Sequence, residues 1–134
     1  MNRDATDVAR ASYQRCCTVP EFFESFYRHF FKACPEAEAR FANTDFERQN
    51  RLLRHAFGLL LIFPNQPESE PTLLTRLAER HSRRDLDVDP SLYAFFVDSL
   101  IATVQRYDPE FTPAVADAWR TTIATGIDYM KSKY

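Results

Sequence analysis

Glycine, histidine and cysteine are scarce in this chain of 134 residues, which has 2, 3 and 3 of them. Glycine occurs only at Gly58 and Gly126, and no segment alternates for long between apolar and polar residues, which argues against a sheet of hairpins. Two isolated glycines also exclude a glycine-rich phosphate-binding loop. No run reaches the roughly 18 apolar residues of a membrane span, and the opening MNRDATDVAR has no apolar signal core. We therefore expect a single cytoplasmic domain, 1–134, that does not enter a membrane.

The net charge limits the kinds of partner, and the number and positions of the cysteines bear on disulfide bonds. The formal net charge is −2, whereas proteins that bind nucleic acid or anionic membranes carry a basic excess. We therefore predict neither of these partners. The three cysteines, Cys16, Cys17 and Cys34, are an odd set with two adjacent members, and they fit no framework of disulfide bonds. We expect them to be reduced and mostly buried, as small apolar residues.

Helix boundaries are well marked, and they predict an all-α domain of six to seven helices. Thr18 with Glu21 and Thr44 with Glu47 have the S/T-x-x-E spacing of a capping box. Three further starts have proline at the expected first helical position, at Pro71, Pro90 and Pro113. Asp89 and Thr112 precede the last two prolines and are the expected N-caps. With the apolar spacing, these signals predict helices over 4–16, 19–33, 45–63, 71–81, 90–107 and 113–131, and an extra turn at 35–40.

Three polar residues interrupt apolar helix faces. Tyr27 lies within the aromatic run FFESFYRHFF, and Gln49 lies on the apolar face of the following long helix. His81 comes four residues after Leu77, so it shares the apolar face of its own helix. A buried polar group without a hydrogen-bond partner costs about 1–3 kcal/mol. Three inward polar residues on three helices therefore suggest one shared polar centre.

The positions of the histidines exclude several kinds of metal site. His29, His55 and His81 are widely separated, and none belongs to an HExxH or a Glu-x-x-His motif. A Ser–His–Asp triad stays open, although no serine lies in a nucleophile-elbow sequence. What remains is an apolar helical pocket with one strong nitrogen ligand, which is what a heme iron requires.

Four motifs in a fixed order make the chain similar to a known family. CPEAEARF contains a proline followed six residues later by phenylalanine, and a tyrosine stands eight residues before that proline. RQNRLL contains a glutamine followed four residues later by leucine, and LAERH is followed by DPSLY. The residues concerned are Tyr27, Pro35, Phe41, Gln49, Leu53, His81 and Tyr93. Over nearly the whole chain, this pattern resembles the globins, most closely bacterial single-domain hemoglobins and the globin domain of flavohemoglobins.

The resemblance implies a globin fold around heme b (iron protoporphyrin IX). His81 matches the proximal iron ligand, and its second ring nitrogen is then expected to donate to a backbone carbonyl, that of Leu77. Tyr27, Gln49 and Leu53 match the distal residues that face the bound gas. The residues expected to line the heme pocket are Phe41, Phe46, Leu53, Phe57, Leu77, Arg80, Arg84, Leu86, Val88, Tyr93, Phe96 and Val97. The expected partner of a heme propionate is one of Arg51, Arg80, Arg83 and Arg84, with a solvated basic face as the alternative.

Two departures from flavohemoglobins affect the expected chemistry. The interval from Phe41 to Gln49 is shorter, so a slip of one residue would bring Arg48 and Leu52 into the pocket instead. The position that matches a proximal glutamate of flavohemoglobins is occupied by Tyr134, and the sequence contains no flavin or nicotinamide domain. We therefore expect a weaker electronic push on the iron and poorer peroxidase-like chemistry.

The resemblance also implies a function, which is reversible binding of dioxygen, NO and CO. A tyrosine–glutamine pair that holds oxygen firmly suits chemistry on oxygen, and NO detoxification with a separate reductase is the leading hypothesis. Whether the chain is an enzyme stays open. The alternative is a non-enzymatic gas sensor or oxygen carrier that acts through a partner protein, and a third hypothesis is a heme-free module with a globin fold. We expect a monomer or a weak homodimer.

Overall fold

The computed structural model describes residues 3–65, 73–83 and 88–134, and it confirms the predicted all-α fold. The described residues form no strand. Their helices are α1 (Arg3–Cys17), α2 (Phe22–Ala33), α3 (Pro35–Ala39), α4 (Phe46–Ile62), α5 (Leu73–His81), α6 (Leu92–Tyr107) and α7 (Pro113–Ser132), with a 3-10 turn (Phe63–Asn65) after α4. All seven predicted helical segments are found, and positions 71 and 72 lie outside the described residues. None of the described helices combines the length and the apolar character needed to cross a bilayer.

The start of α7 follows the sequence prediction. Thr112 accepts a hydrogen bond on Oγ1 from the backbone N–H of Val115 at 3.2 Å, and Pro113 is the first helical residue. Proline suits this position because its fixed φ is already helical and its missing N–H would have had no partner in the helix. The short helix α3 begins in the same way, with Pro35.

The two predicted capping boxes are wrong. Thr18 Oγ1 donates to the backbone carbonyl of Arg15 at 2.7 Å, so it closes the end of α1 and does not start α2. Asp45 caps α4 in place of Thr44, because its carboxylate accepts from two backbone N–H groups of the first turn at 3.1 and 3.4 Å. A carboxylate at this position also lies at the positive end of the helix dipole.

The helices pack around an aromatic core. α1 packs along α7 and α2 along α6, while α4 and α5 both contact α7. Phe22, Phe26, Phe57 and Trp119 are almost completely buried. Phe26 and Phe57 meet edge to face with ring centroids 5.4 Å apart. Such ring pairs contribute about 0.5–1.5 kcal/mol beyond the area they bury, so this core fixes α2 and α4 relative to each other.

The cysteines are free thiols, as the sequence predicts. Cys16 and Cys34 are buried, and Cys17 is half-buried. Burial raises the pKa of the Cys16 thiol to about 12, so this side chain stays protonated and behaves as a small apolar residue.

Candidate functional site

A cavity of about 600 Å³ is enclosed by residues from α2 to α7. Its volume falls within the range of roughly 300–1,000 Å³ that is typical of cofactor pockets. The residues named from the sequence that line it are Tyr27, Phe41, Gln49, Leu53, Leu77, Arg80, His81, Val88, Tyr93 and Phe96. The fold therefore brings Tyr27, Gln49 and His81, the three inward polar residues, to one cavity.

His81 is the last residue of α5, and its imidazole lines the cavity. Its Nδ1 lies 2.8 Å from the backbone carbonyl oxygen of Leu77, one turn earlier. Because a carbonyl can only accept, Nδ1 carries the proton, and the neutral ring then has its lone pair on Nε2. The backbone carbonyl of His81 accepts from the N–H of Val88 at 3.0 Å, which ties this helix end to the approach to α6. The ring is thus held in the tautomer that a metal ligand requires.

Tyr27 on α2 and Gln49 on α4 are joined by a hydrogen bond at the cavity wall. The amide Nε2 of Gln49 donates to the hydroxyl oxygen of Tyr27 at 3.0 Å. Burial raises the pKa of Tyr27 to about 12, and the hydrogen bond from Gln49 opposes this rise only in part. The phenol therefore stays protonated at neutral pH. Since its oxygen accepts from Gln49, its own proton is left to donate to another group.

Aromatic rings form much of the remaining wall. The rings of Tyr27 and Phe41 have centroids 5.5 Å apart, and those of Phe26 and Phe96 are 5.2 Å apart. Tyr93 on α6 is buried, and burial raises its pKa to about 12, so this side chain is a second neutral phenol. An apolar cavity with few polar groups suits a large, flat, mostly apolar ligand.

Three of the residues expected in the wall lie outside it. Phe46 stacks on the wall residue Phe41 with centroids 6.2 Å apart, and Phe57 contacts the wall residue Phe96 at 5.7 Å. Val97 lies on α6 but does not line the cavity. Helical periodicity cannot separate a first layer from a second, because both lie on the same inward face. Two further expected residues, Arg84 and Leu86, lie outside the described residues.

Some lining residues were not singled out for the pocket from the sequence. Arg48 and Leu52 line the cavity together with Gln49 and Leu53, so α4 contributes both of the registers considered above. The remaining lining residues are Phe26, Phe30, Ala37, Arg40, Thr44, His55, Ala56, Leu60, Leu92, Ile127 and Met130. The aromatic stripe of α2 was the available signal for Phe26 and Phe30. Nothing in the spacing marked the residues contributed by α7.

Comparisons with known proteins agree with this architecture. The globin family model matches residues 24–130. A protein from Pseudomonas aeruginosa PAO1, whose crystal structure is described as highly homologous to a human hemoglobin, is 37% identical in sequence. The match has a TM-score of 0.91 and covers 97% of this chain and 98% of that chain. No curated protein matches the sequence significantly.

A helical fold closed around a mostly apolar cavity, with His81 at the end of a helix among the lining residues, is typical of proteins that hold a heme. The chain belongs to the globin family, because the family model spans most of its length and the similar crystal structure spans nearly all of it. Globins carry heme and bind diatomic gases, so the chain is a heme-based gas-binding protein.

Proposed function

We propose that the chain binds heme b with His81 as the proximal iron ligand, and that Tyr27 and Gln49 contact the gas, which is dioxygen, NO or CO. The observation that carries this proposal is the imidazole of His81, whose Nδ1 is occupied by the Leu77 carbonyl at 2.8 Å while the ring lines the cavity. Heme supplies the iron at which a diatomic gas is held.

The cavity residues fit a heme in shape and in charge. A porphyrin is a flat apolar ring with two carboxylates at one edge, so it needs apolar walls, a metal ligand and cations near an opening. Phe41 and Phe96 contribute to the apolar walls. Arg40, Arg48 and Arg80 line the cavity and are exposed to solvent. Guanidinium groups pair well with carboxylates, so these three arginines are the candidates for the propionates.

The partner of His81 sets how strongly the imidazole donates to iron. A backbone carbonyl polarises the ring less than a carboxylate would, because it carries no net charge. The residue at the position of the flavohemoglobin glutamate, Tyr134, uses its backbone carbonyl to accept from the N–H of Arg83 at 3.2 Å. The Arg83 guanidinium also lies 4.8 Å from the centre of the Tyr134 ring.

Tyr27 and Gln49 supply the polar contacts for the gas. Dioxygen becomes polarised when it binds heme, so hydrogen-bond donors aimed at it stabilise the complex by about 1–3 kcal/mol each. The two donors together can slow release by a factor of roughly 100 or more. CO is less polarised and gains less, so the pair favours dioxygen over CO.

Firm retention of oxygen suits NO detoxification. In this reaction NO, dioxygen and one electron give nitrate, and a bound heme would supply the electron. The proposal includes a separate reductase that returns this electron. In the sensor or carrier alternative, the gas is bound and released without oxidation.

Absorption spectra of protein reconstituted with hemin test the heme site. We expect an intense Soret band that is lost or strongly shifted in His81→Gly and is restored when imidazole is added to that variant. The matched control is His29→Ala, since the His29 ring bonds the Ser25 carbonyl at 2.9 Å and does not line the cavity. A wild-type protein that takes up no hemin contradicts the proposal.

A second measurement separates the catalytic function from its alternative. Nitrate formation is followed while NO is added to the reconstituted protein under oxygen and excess reductant. Stoichiometric nitrate over many turnovers supports NO dioxygenation, whereas a single turnover followed by a stalled ferric protein favours the sensor or carrier.

A further inference from the structure

The ring of Tyr27 belongs to a closed group of four aromatic side chains. We call this group the distal ring cluster, and its members are Tyr27, Phe31, Phe41 and Phe46. Every pair among them is in contact, because the six distances between ring centroids all lie between 5.3 and 6.2 Å. Interacting aromatic pairs typically have centroids about 4.5–7 Å apart. Tyr27 and Phe41 line the cavity, whereas Phe31 and Phe46 do not.

Two helices bring Phe31 and Phe46 to the tyrosine. Phe31 follows Tyr27 by four residues in α2, so both lie on one helix face, and their rings are stacked 5.6 Å apart. Phe46 is the first residue of α4, directly after the cap Asp45, and its ring meets that of Tyr27 edge to face at 5.4 Å. Gln49 lies three residues further along the same helix. The first turn of α4 therefore contacts Tyr27 twice, at the ring through Phe46 and at the hydroxyl through Gln49.

We propose that Phe31 and Phe46 are positioning residues, which hold the ring of Tyr27 so that its hydroxyl stays directed at the bound gas. This inference rests on the proposed function, because it takes Tyr27 as a hydrogen-bond donor to the gas. It gives two residues outside the cavity an influence on how firmly the gas is held.

Packing against the ring is needed because the hydroxyl lies at the far end of the tyrosine side chain. A small rotation about the Cα–Cβ bond of Tyr27 displaces the hydroxyl oxygen more than any other atom of the ring. Hydrogen bonds weaken steeply when their distance and angle depart from the preferred values. The single bond from Gln49 is a contact between neutral groups, which contributes little net free energy. Functional groups keep their geometry when packing locks the side chains that carry them.

The exposure of the cluster separates this positioning role from a role in the general core. Tyr27 is 5% exposed, whereas Phe46 is 37% exposed and Phe31 is half-buried. An exposed side chain buries less apolar area, so it contributes less to the stability of the whole fold. Substitution of Phe46 should therefore change the contact with Tyr27 while the protein stays folded.

The rate of dioxygen release from the reduced, hemin-reconstituted protein tests the proposal. We expect Phe46→Leu and Phe31→Leu each to accelerate release by about threefold to tenfold, because leucine stays apolar but has no flat ring. Phe46→Tyr keeps the ring and should release dioxygen as the wild type does. The matched control is Phe63→Leu, which loses a ring contact with Tyr129 at 5.1 Å. Phe63 is half-buried and does not line the cavity, so we expect this control to leave release unchanged.

A double-mutant cycle shows whether the effect passes through Tyr27. The hydroxyl is absent in Tyr27→Phe, so adding Phe46→Leu to that variant should not accelerate release further. The C–O stretching frequency of the CO complex reports on hydrogen-bond donors near the gas. We expect Phe46→Leu to shift this frequency towards its value in Tyr27→Phe. Acceleration by the same factor in both backgrounds, a wild-type rate and frequency in both leucine variants, or an equal effect of Phe63→Leu overturns the positioning role.

Failure of the positioning role can be told apart from failure of the proposed function. If Tyr27→Phe accelerates release and neither leucine variant does, Tyr27 keeps its proposed contact with the gas and the positioning role is wrong. If Tyr27→Phe leaves release unchanged, the proposed contact between Tyr27 and the gas is wrong, and the positioning role is overturned with it.

Discussion

Trp119 on α7 donates a hydrogen bond from its indole N–H to the hydroxyl of Ser12 on α1 at 2.9 Å, across 107 residues of sequence. The Ser12 hydroxyl donates in turn to Asp108 at 2.6 Å, and Arg15 pairs with the same carboxylate at 2.6 Å. Ser12, Asp108 and Trp119 are buried. This network joins α1 to the corner between α6 and α7. Both of these helices contribute residues to the cavity wall, so the position of that wall depends on the network.

Removal of the Asp108 carboxylate should be strongly destabilising. Asp108→Ala removes the carboxylate that Arg15 and Ser12 share. Because the Arg15 side chain is 26% exposed and Glu110 lies 3.6 Å from it, we expect a loss of about 1–3 kcal/mol. Urea unfolding at pH 7 measures this loss. The control is Asp98→Ala, whose exposed pair with Arg120 at 3.1 Å should contribute less than about 1 kcal/mol. Equal losses in the two variants would contradict the role given to Asp108.

The same carboxylate should make stability depend on pH. Burial acts to raise the pKa of Asp108, but hydrogen bonds from Arg15 and Ser12 outweigh it, so the pKa lies below its usual value. Its stabilisation is therefore complete above the unfolded pKa of about 3.9 and is lost as the pH falls through the folded value. The difference in unfolding free energy between wild type and Asp108→Ala should shrink in acid. A difference that is constant from neutral pH into acid would argue against it.

The two glycines should respond in opposite ways to alanine. A Cβ at Gly58 meets no atom within 4 Å, so Gly58→Ala should stabilise α4 by about 0.5–1 kcal/mol through helix propensity. A Cβ at Gly126 would lie 2.7 Å from Leu60 Cδ2 and 3.3 Å from Leu74 Cδ2. Overpacking of this kind costs about 1–3 kcal/mol, so Gly126→Ala should be destabilising. Thermal unfolding of both variants measures the contrast, and a shift in the same direction for both would refute it.

Substitution of the distal tyrosine should accelerate gas release. Tyr27→Phe removes the hydroxyl that we propose donates to the bound gas, so we expect dioxygen to dissociate at least about tenfold faster, while CO dissociation changes less. Stopped-flow displacement of oxygen by CO gives the rate. Tyr13→Phe is the matched control, because the Tyr13 hydroxyl donates to the Arg54 carbonyl at 2.9 Å and does not line the cavity. An unchanged rate in Tyr27→Phe would remove Tyr27 from the gas site.

Thiol labelling should distinguish the adjacent cysteines. Cys16 is fully buried and burial raises its pKa to about 12, so it should not react with a disulfide reagent in the folded protein. Cys34 is also buried, which leaves half-buried Cys17 as the reactive thiol. We expect one thiol per chain to react before unfolding and all three afterwards. Rapid reaction of two thiols in the native protein would contradict the burial of Cys16 or Cys34.

The fold was predictable from the sequence because its signals are local. Apolar spacing identifies the helices, and the cap at Thr112 with Pro113 as first helical residue is correct. The start predicted at Pro90 is wrong, because α6 begins two residues later, at Leu92. The starts of α2 and α4 were less certain, because several polar residues precede each helix and any of them can cap it. Asp45 caps α4 rather than Thr44, because the Asp45 carboxylate accepts from two backbone N–H groups. The spacing of residues in the sequence does not show which side chain reaches those groups.

Residues of the candidate site could be predicted where a polar side chain lies on an otherwise apolar helix face. His81, Tyr27 and Gln49 stand out as polar groups on apolar faces, and the structure brings them to one cavity. The sequence did not decide whether Gln49 or Arg48 faces the cavity from α4. In the structure both residues line it. Phe46 and Phe57 were expected to line the cavity, but they pack behind the lining residues Phe41 and Phe96. Helical periodicity shows which side chains face inward, but not how far they lie from the cavity.

The contact between Arg83 and Tyr134 has a practical consequence for how the protein is handled. Any peptide fused after residue 134 would start within reach of the turn that follows His81, since the Tyr134 carbonyl already bonds the Arg83 backbone. An affinity tag at that position would therefore alter the surroundings of His81, and the heme spectrum would detect the change. Purification handles belong ahead of α1, whose residues do not line the cavity.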